Sequence, residues 1–361
     1  MKFVGYWASQ EQYSLHDLLS FVREAETGGF TATMTSDHFH PWWNDGGFGN
    51  FTWVWLTAAA ERTKKMKFVT GVTSPVYRYN PGIIAQAFAS LDVLYPGRIA
   101  LGIGTGEAMN EVSVGFDWPS AEIRLARTIE AIQIINNLWN KKKEEPQTNN
   151  DSTVDLESEK IDDEGFLTYE GQYYKTKTAK LYTSASTNIP LYMAASGTEA
   201  THTAAKYTDG LITITKPDKS KELFDEFNDA ALKVGKDPQK LQKIGKPKIS
   251  FSEDYDEAFK SAGFWRAGEI KDVFNTSIND PRQLQQKAME EVSDDMLKES
   301  TLIVTSVEEL IKPLEEYFKA GFTQIYLHST SPNEIEFVQQ FCKKVLPHFG
   351  GLNNLGDIPN H

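Results

Sequence analysis

The 361-residue sequence predicts one (β/α)₈ barrel, an α/β fold. Two observations carry this. Eight short runs rich in Val, Ile, Phe and Tyr recur along the chain with little polar alternation, as parallel strands covered on both faces require. Segments of helical periodicity fill the intervals, with no internal repeat and no linker between two halves. An open doubly wound sheet is the competing arrangement. Residues 1–361 are therefore expected to form a single domain.

The strand-like runs are Phe3–Trp7, Thr31–Thr35, Lys67–Val72, Arg98–Ile103, Pro190–Ala195, Gly210–Ile214, Pro247–Phe251 and Phe322–His328. After the first, Ser14 is placed to cap a helix with Leu15, Leu18, Leu19, Val22 and Ala25 on one side, and Gly28-Gly29 stops it. Pro81 opens another helix through Ile83, Ile84, Ala87, Phe88 and Leu91. A third, Arg124–Trp139, turns Leu125, Ile129, Ile132, Ile135 and Leu138 inward. Two stretches break the rhythm. Residues 141–165 are charged and poor in apolar side chains, so a mobile surface loop is expected. Phe166–Tyr174 then reads as a hairpin turning at Glu170-Gly171. Residues 262–300 are longer than a barrel connection needs, and such insertions usually shape a substrate mouth.

Bulk properties narrow the function classes. The net charge of −13 opposes binding to nucleic acid or to anionic lipid. No apolar stretch approaches bilayer-spanning length, and Met1–Trp7 reads as a first strand instead of a leader, so a cytoplasmic location is expected. Cys342 is the only cysteine, which excludes an intrachain disulfide and a cysteine metal cluster; its apolar-periodic surroundings predict a buried helical thiol.

In a (β/α)₈ barrel the reactive groups lie at the C-terminal ends of the strands. The second run ends in Ser36-Asp37-His38-Phe39-His40-Pro41-Trp42-Trp43, the third in Thr70-Gly71-Val72-Thr73-Ser74, and the fourth in Gly104-Thr105-Gly106-Glu107-Ala108-Met109-Asn110-Glu111. His38 is the leading candidate for proton transfer, and the adjacent Asp37 could influence it. A structural histidine bonded to backbone is the alternative. His38 and His40 alone do not make a metal site, because no further ligand pattern accompanies them. Glu107 follows two glycines, Gly104 and Gly106, which let backbone approach a flat ligand. Glu111, one turn on, can be a helix N-terminal acid favoured by the dipole. A G-x-G-x-x-G fingerprint would need glycine at Glu107 or at Met109, so a Rossmann-type nicotinamide site is disfavoured. The turn Ala195-Ser196-Gly197-Thr198-Glu199-Ala200 ends a strand and opens a helix, where free N–H groups can seat a phosphate. Trp7, Trp42, Trp43, Trp53 and Trp55 either wall a flat ring or pack the core.

At these motifs the chain resembles the coenzyme F420-dependent branch of the luciferase-like enzymes. The resemblance rests on Gly5-Tyr6-Trp7-Ala8-Ser9 with Glu11-Gln12-Tyr13, Asp37 through Trp42, Arg78-Tyr79-Asn80-Pro81, Tyr95-Pro96-Gly97-Arg98 and Gly104 through Glu111. It implies hydride transfer from a CH–OH carbon to a deazaflavin, with FMN as the alternative cofactor if the chain is a monooxygenase of the same superfamily. It further implies His38 as the base for the hydroxyl proton, Trp42 as support for the developing charge, Glu107 as the acid near the cofactor ring and Glu11 as an acid facing the substrate. Asp37, Ser74, Thr105 and Asn110 match cofactor contacts, Gly71-Val72 a non-prolyl cis peptide behind the ring, and Ser196, Gly197, Glu199 and Ala200 the cofactor-phosphate turn. A homodimer is also implied.

The branch includes secondary alcohol dehydrogenases and glucose-6-phosphate dehydrogenases. Ile214, Pro217, Asn275 and Thr301 stand at or near the positions where the sugar-phosphate enzymes carry phosphate-gripping cations, so a small alcohol is expected over a sugar phosphate. Lys216, Lys219 and Arg266 are the nearby cations that could substitute.

Overall fold

The computed structural model describes residues 2–140 and 159–350. In chain order its strands are β1 (Phe3–Ala8), β2 (Ala32–Thr35), β3 (Lys67–Thr70), β4 (Ile99–Ile103), β5 (Glu159–Ile161), β6 (Leu167–Glu170), β7 (Lys175–Ala179), β8 (Leu191–Ala194), β9 (Gly210–Thr213), β10 (Gln242–Gly245), β11 (Lys248–Phe251), β12 (Thr301–Val304) and β13 (Gln324–Ser329). Eight of them close a parallel barrel in the order β1-β2-β3-β4-β8-β9-β10-β13, with β13 pairing back onto β1 through Phe3↔Gln324 to Tyr6↔Leu327. The (β/α)₈ expectation holds, and the open sheet is excluded.

One barrel position differs from the sequence reading. The seventh barrel strand is β10, not the run Pro247–Phe251. Pro247 has no N–H to give to a ladder, and it falls in the break between β10 and β11. The short Gln242-Lys243-Ile244-Gly245 segment has too little apolar pattern to announce itself. Beyond the break, β11 pairs with the upper end of β13 through Lys248↔His328 and with β12 through Lys248↔Thr301 to Phe251↔Val304. The strand β12 was not anticipated.

Side chains of Phe3, Trp7, Met34, Val69, Tyr192, Ile212, Ile244 and Tyr326 fill the barrel interior. A larger apolar layer joins the outer strand faces to the helices. The first helix, Leu15–Gly28, is capped by Ser14, whose hydroxyl accepts from the Asp17 N–H at 3.2 Å, and Gly29 ends it at φ 112°. Its buried residues are Leu18, Phe21, Val22 and Ala25, with Leu15 exposed. Pro81 opens the helix Pro81–Leu94. The third expected helix starts earlier, at Ala121, because Ser120 caps it. Cys342 is buried in the helix Glu334–Lys344.

The expected hairpin is β6–β7, held by the Glu130 carboxylate, which accepts the N–H groups of Gln172, Tyr173 and Tyr174. Of the expected loop 141–165, residues 141–158 lie outside the described residues. The remainder is not loop throughout: Glu159–Ile161 adds an antiparallel strand to the hairpin through Lys160↔Thr168. Residues 262–300 form short helical turns whose apolar side, Trp265, Ile270, Val273, Leu284 and Ala288, packs with Trp42 and Met109. Among the described residues no helix is long and apolar enough to cross a membrane.

Close strand packing makes Gly102 in β4 obligatory: an added Cβ would collide with the Thr70 carbonyl oxygen of β3. Gly102→Ala should lower unfolding stability by about 1–3 kcal/mol, the usual cost of overpacking. Urea denaturation checks this, and an unchanged midpoint would show that the β3–β4 spacing is looser than described.

Candidate active site

The catalytic and cofactor residues that the resemblance implies all line one cleft at the C-terminal mouth of the barrel. Its volume of about 1450 Å³ exceeds the ~300–1,000 Å³ of a site for one drug-sized ligand, so a large cofactor and a small substrate fit together. Strand ends deliver the groups: Glu11 follows β1, His38 and Trp42 follow β2, and Glu107 follows β4.

His38 sits between two carboxylates. Its Nδ1 is 2.9 Å from Glu11 Oε1, and its Nε2 is 3.3 Å from Glu107 Oε2. Each carboxylate is held in turn. The Ser36 hydroxyl donates to Glu11 Oε2 at 2.6 Å, and the Asn110 amide donates to Glu107 Oε2 at 3.1 Å. Asn110 also accepts the Phe39 N–H at 2.7 Å, tying the β2 and β4 loops together. Burial alone would push the imidazole pKa down, but Glu107 and Glu11 outweigh it and hold His38 above its ordinary value. Burial likewise opposes ionisation of Glu11, and His38 with Ser36 reverses that, leaving Glu11 below its ordinary value. The Trp42 ring lies 5.9 Å from the His38 ring.

Asp37 is not the partner of His38. Its carboxylate accepts from Thr73 at 2.7 Å and from Arg78 and Tyr79 at 3.2 Å each, so it braces the β3 loop. Adjacent residues leaving a strand point to opposite sides, and this separates Asp37 from His38. Glu111 is not an exposed helix-terminal acid. It is buried at the end of the one-turn helix Ala108–Glu111, accepts the Arg78 N–H at 2.7 Å, and burial raises its pKa. His40 turns away from His38; its Nδ1 lies 3.1 Å from the Asn279 carbonyl oxygen and 3.0 Å from Ser113 Oγ. Among the described residues no three His, Cys, Asp or Glu side chains group to hold a metal.

One wall is shaped for a flat ligand. The Gly71–Val72 peptide is cis, Gly106 has φ +81° with Ser74 behind it, and a Cβ on Gly104 would strike Val72. Thr105 joins this wall. Farther out, Ser196, Gly197 and Glu199 are exposed at the start of the ten-residue helix Thr198–Tyr207, with Ala200 half-buried. The space beside Gly197 is open, and the start of a helix offers free N–H groups to a phosphate.

The opposite wall contains residues that sequence reasoning missed. Lys246 and Lys248 flank Pro247 in the break between β10 and β11. Burial pushes the Lys246 ammonium down to about 8, against the pull of Glu11 and Glu107, and its Nζ lies 4.2 Å over the Trp7 ring. Burial, Lys246 and Lys216 push Lys248 down to about 7, and Lys248 is ion-paired with Glu269. His328, fully buried between Trp7 and Trp265, is held well below its ordinary pKa by burial and by both lysines. Two lysines bracketing a proline at a strand end was the available signal. Of the cations that the sequence offered, Lys216 lines the cleft but donates to the Glu299 carbonyl at 2.6 Å. Arg266 faces away, held by the Val292 carbonyl and Asp294, and Lys219 borders a separate surface depression. Ile214, Pro217, Asn275 and Thr301 all line the cleft.

Residues 2–324 match the family model described as luciferase-like monooxygenase. The chain belongs to that luciferase-like family. It is 33% identical over 346 residues to an F420-dependent glucose-6-phosphate dehydrogenase of Microbacterium testaceum, covering 95% of this chain and 96% of the relative. It is 31% identical to the enzyme of that name from Mycolicibacterium smegmatis, covering 97% and 98%. A solved F420-dependent secondary alcohol dehydrogenase, in complex with an F420-acetone adduct, superposes with a TM-score of 0.86 at 34% identity, over 96% of this chain and 98% of that one. The luciferase-like barrel also superposes on the F420-dependent tetrahydromethanopterin reductase of Methanopyrus kandleri, with a TM-score of 0.72 and 20% identity, a likeness of fold.

In this luciferase-like site the His38 pKa depends on two nearby negative charges. Glu11→Gln removes one of them and leaves burial less opposed, so the His38 pKa should fall. An NMR titration of the His38 ring protons checks this. A pKa that stays put would mean that Glu11 does not set the charge state of the base.

Proposed function

We propose that this chain is a coenzyme F420-dependent alcohol dehydrogenase. The observation that carries the reading is His38, fixed between Glu11 and Glu107 beside Trp42, opposite a wall cut for a flat ring. The names of relatives aligned over nearly the whole chain support the cofactor. Gly71, Val72, Ser74, Thr105, Asn110 and the Asp37 brace would hold the ring face of F420, and Ser196, Gly197, Glu199 and Ala200 its phosphate. Bound F420 supplies the hydride acceptor.

The protein's own part is proton handling and placement. Oxidising a carbinol requires the hydroxyl proton to leave as hydride departs from carbon, which calls for a base near neutral pKa. Glu11 holds Nδ1 of His38, so Nε2 is the atom that takes the substrate proton. The same carboxylate then steadies the imidazolium. Trp42 packs against the imidazole and keeps water from its face. Glu107, 3.3 Å from Nε2, is placed to pass a proton between His38 and the cofactor side of the cleft.

The favoured substrate is a small alcohol and not a sugar phosphate. Ile214 and Pro217 offer no donor, Thr301 no charge, and the Asn275 side chain is engaged by Arg124 at 2.9 Å. Arg266 and Lys219 are turned elsewhere. The reading includes a homodimer, supported by the exposed apolar Phe51 and Val54.

His38→Ala should cost on the order of 10²–10⁴-fold in kcat, the range typical of a lost general base. F420 affinity should change only a few-fold, because His38 is not in the ring wall or the phosphate seat. Following the oxidised deazaflavin absorbance with a panel of secondary alcohols measures the first, and fluorescence titration the second. Near-normal turnover by the variant would refute the assignment of the base.

A further inference from the structure

Proton transfer and cofactor placement leave Lys246, in the cleft wall, without a task. Lys246 is half-buried in the cleft wall, and among the described residues no carboxylate lies within 4.0 Å of its Nζ and no hydrogen-bond acceptor engages it. Several neighbouring charges are answered by the protein itself. Lys248 has Glu269, Arg78 has Asp37, His38 has Glu11 and Glu107, and Arg124 has the Pro119 carbonyl and Asn275. A half-buried ammonium that the protein leaves unpaired in a ligand cleft is free to pair with an anion brought by a ligand.

The position of Lys246 says what the anion is attached to. Its Nζ stands over Trp7 at 4.2 Å and reaches to within 6.0 Å of Trp265, so apolar rings flank it and strengthen any ion pair formed there. Its charge acts on both Glu11 and Glu107, the two carboxylates that bracket His38. Lys246 and His38 line the same cleft, so a group bound on Lys246 shares that cleft with the base. The charge count selects a monoanion. One unpaired cation matches one carboxylate, whereas a phosphate dianion would leave a charge uncompensated next to Glu11 and Glu107.

We propose that Lys246 anchors a substrate carboxylate, so that the substrate is a small hydroxy acid with its carbinol carbon next to the carboxylate and within reach of His38. This rests on the alcohol-dehydrogenase reading. The carbinol loses a hydride from carbon and a proton from oxygen and becomes an oxo acid. The two electrons leave with the hydride to the deazaflavin, and the proton goes to His38 and then to solvent.

Calorimetric binding to the F420-loaded protein tests the anchor without relying on turnover. The probes are lactate, its neutral isostere lactamide, and glycerol phosphate. Lactate should bind at least tenfold more tightly than lactamide. Lys246→Met should abolish that preference, Lys246→Arg should restore part of it, and thermal melting should show both variants folded. Equal binding of lactate and lactamide, or a preference that survives in Lys246→Met, overturns the proposal. Glycerol phosphate binding more tightly than lactate, in a manner lost with Lys246, overturns the assignment to a carboxylate. The underlying activity is judged separately with the wild-type protein and neutral alcohols. Lactate selectivity at Lys246 with no oxidation of any alcohol would sink the dehydrogenase reading and leave the anion site standing.

Discussion

The contact of His38 with Glu11 and Glu107 depends on the whole barrel. The three side chains follow β1, β2 and β4, and they meet only because those strands belong to one closed sheet whose ends share a rim. The pKa values of His38 and Glu11 are set by their neighbours. Burial would neutralise the imidazole and penalise Glu11, and each corrects the other. Ser36 and Asn110 then remove the remaining freedom by holding the two carboxylates from behind. A base of this kind is rigid before substrate arrives, which spares the ordering cost at the moment of reaction.

The rest of the cleft divides into a half for the cofactor and a half for the substrate, and the two are built from different materials. Glycines, small hydroxyl residues and backbone make the wall from β3, β4 and β8, where a flat ring needs close approach and a phosphate needs N–H groups. Lysines and tryptophans make the wall from β1, β10, β11 and residues 262–300. Trp42 and Trp265 share one apolar cluster with the inserted segment, and Trp265 also touches His328 at 4.3 Å. Movement of that segment would therefore disturb the side chains next to both the base and Lys246.

Much of this was legible in the sequence because it is local. Seven of the eight barrel strands, the Ser14 and Pro81 helix starts and the hairpin at Glu170-Gly171 each follow from patterns within a dozen residues. The candidate site residues fell on strand ends, and the barrel rule sent all of them to one mouth. What failed was not local. Asp37 adjoins His38 in sequence, but the partners that raise the His38 pKa are Glu107 and Glu11, which reach it from β4 and β1. In sequence Glu111 reads as a helix N-terminal acid, and its burial against Arg78 from another loop is not foreseen. The barrel strand β10 was hidden by its polar residues, and the break at Pro247 made β11 look like the strand that closes the ring.

That misplacement hid the residues that bear on substrate choice. When Pro247–Phe251 is taken as the barrel strand, Lys246 precedes it and falls at the bottom of the barrel, far from the reaction. With β10 as the true strand, Lys246 stands just past its C-terminal end, where barrel enzymes keep their reactive groups. A shift of one strand thus turns a solvent lysine into a half-buried cation lining the same cleft as His38. It also changes the ground on which a charged substrate is judged. The four positions first considered, Ile214, Pro217, Asn275 and Thr301, supply no cation, and they rule out only an anion held from that side of the cleft. An anion held from the β10–β11 break meets a single ammonium, two tryptophan faces and two nearby carboxylates. Such a setting tolerates one negative charge and resists two.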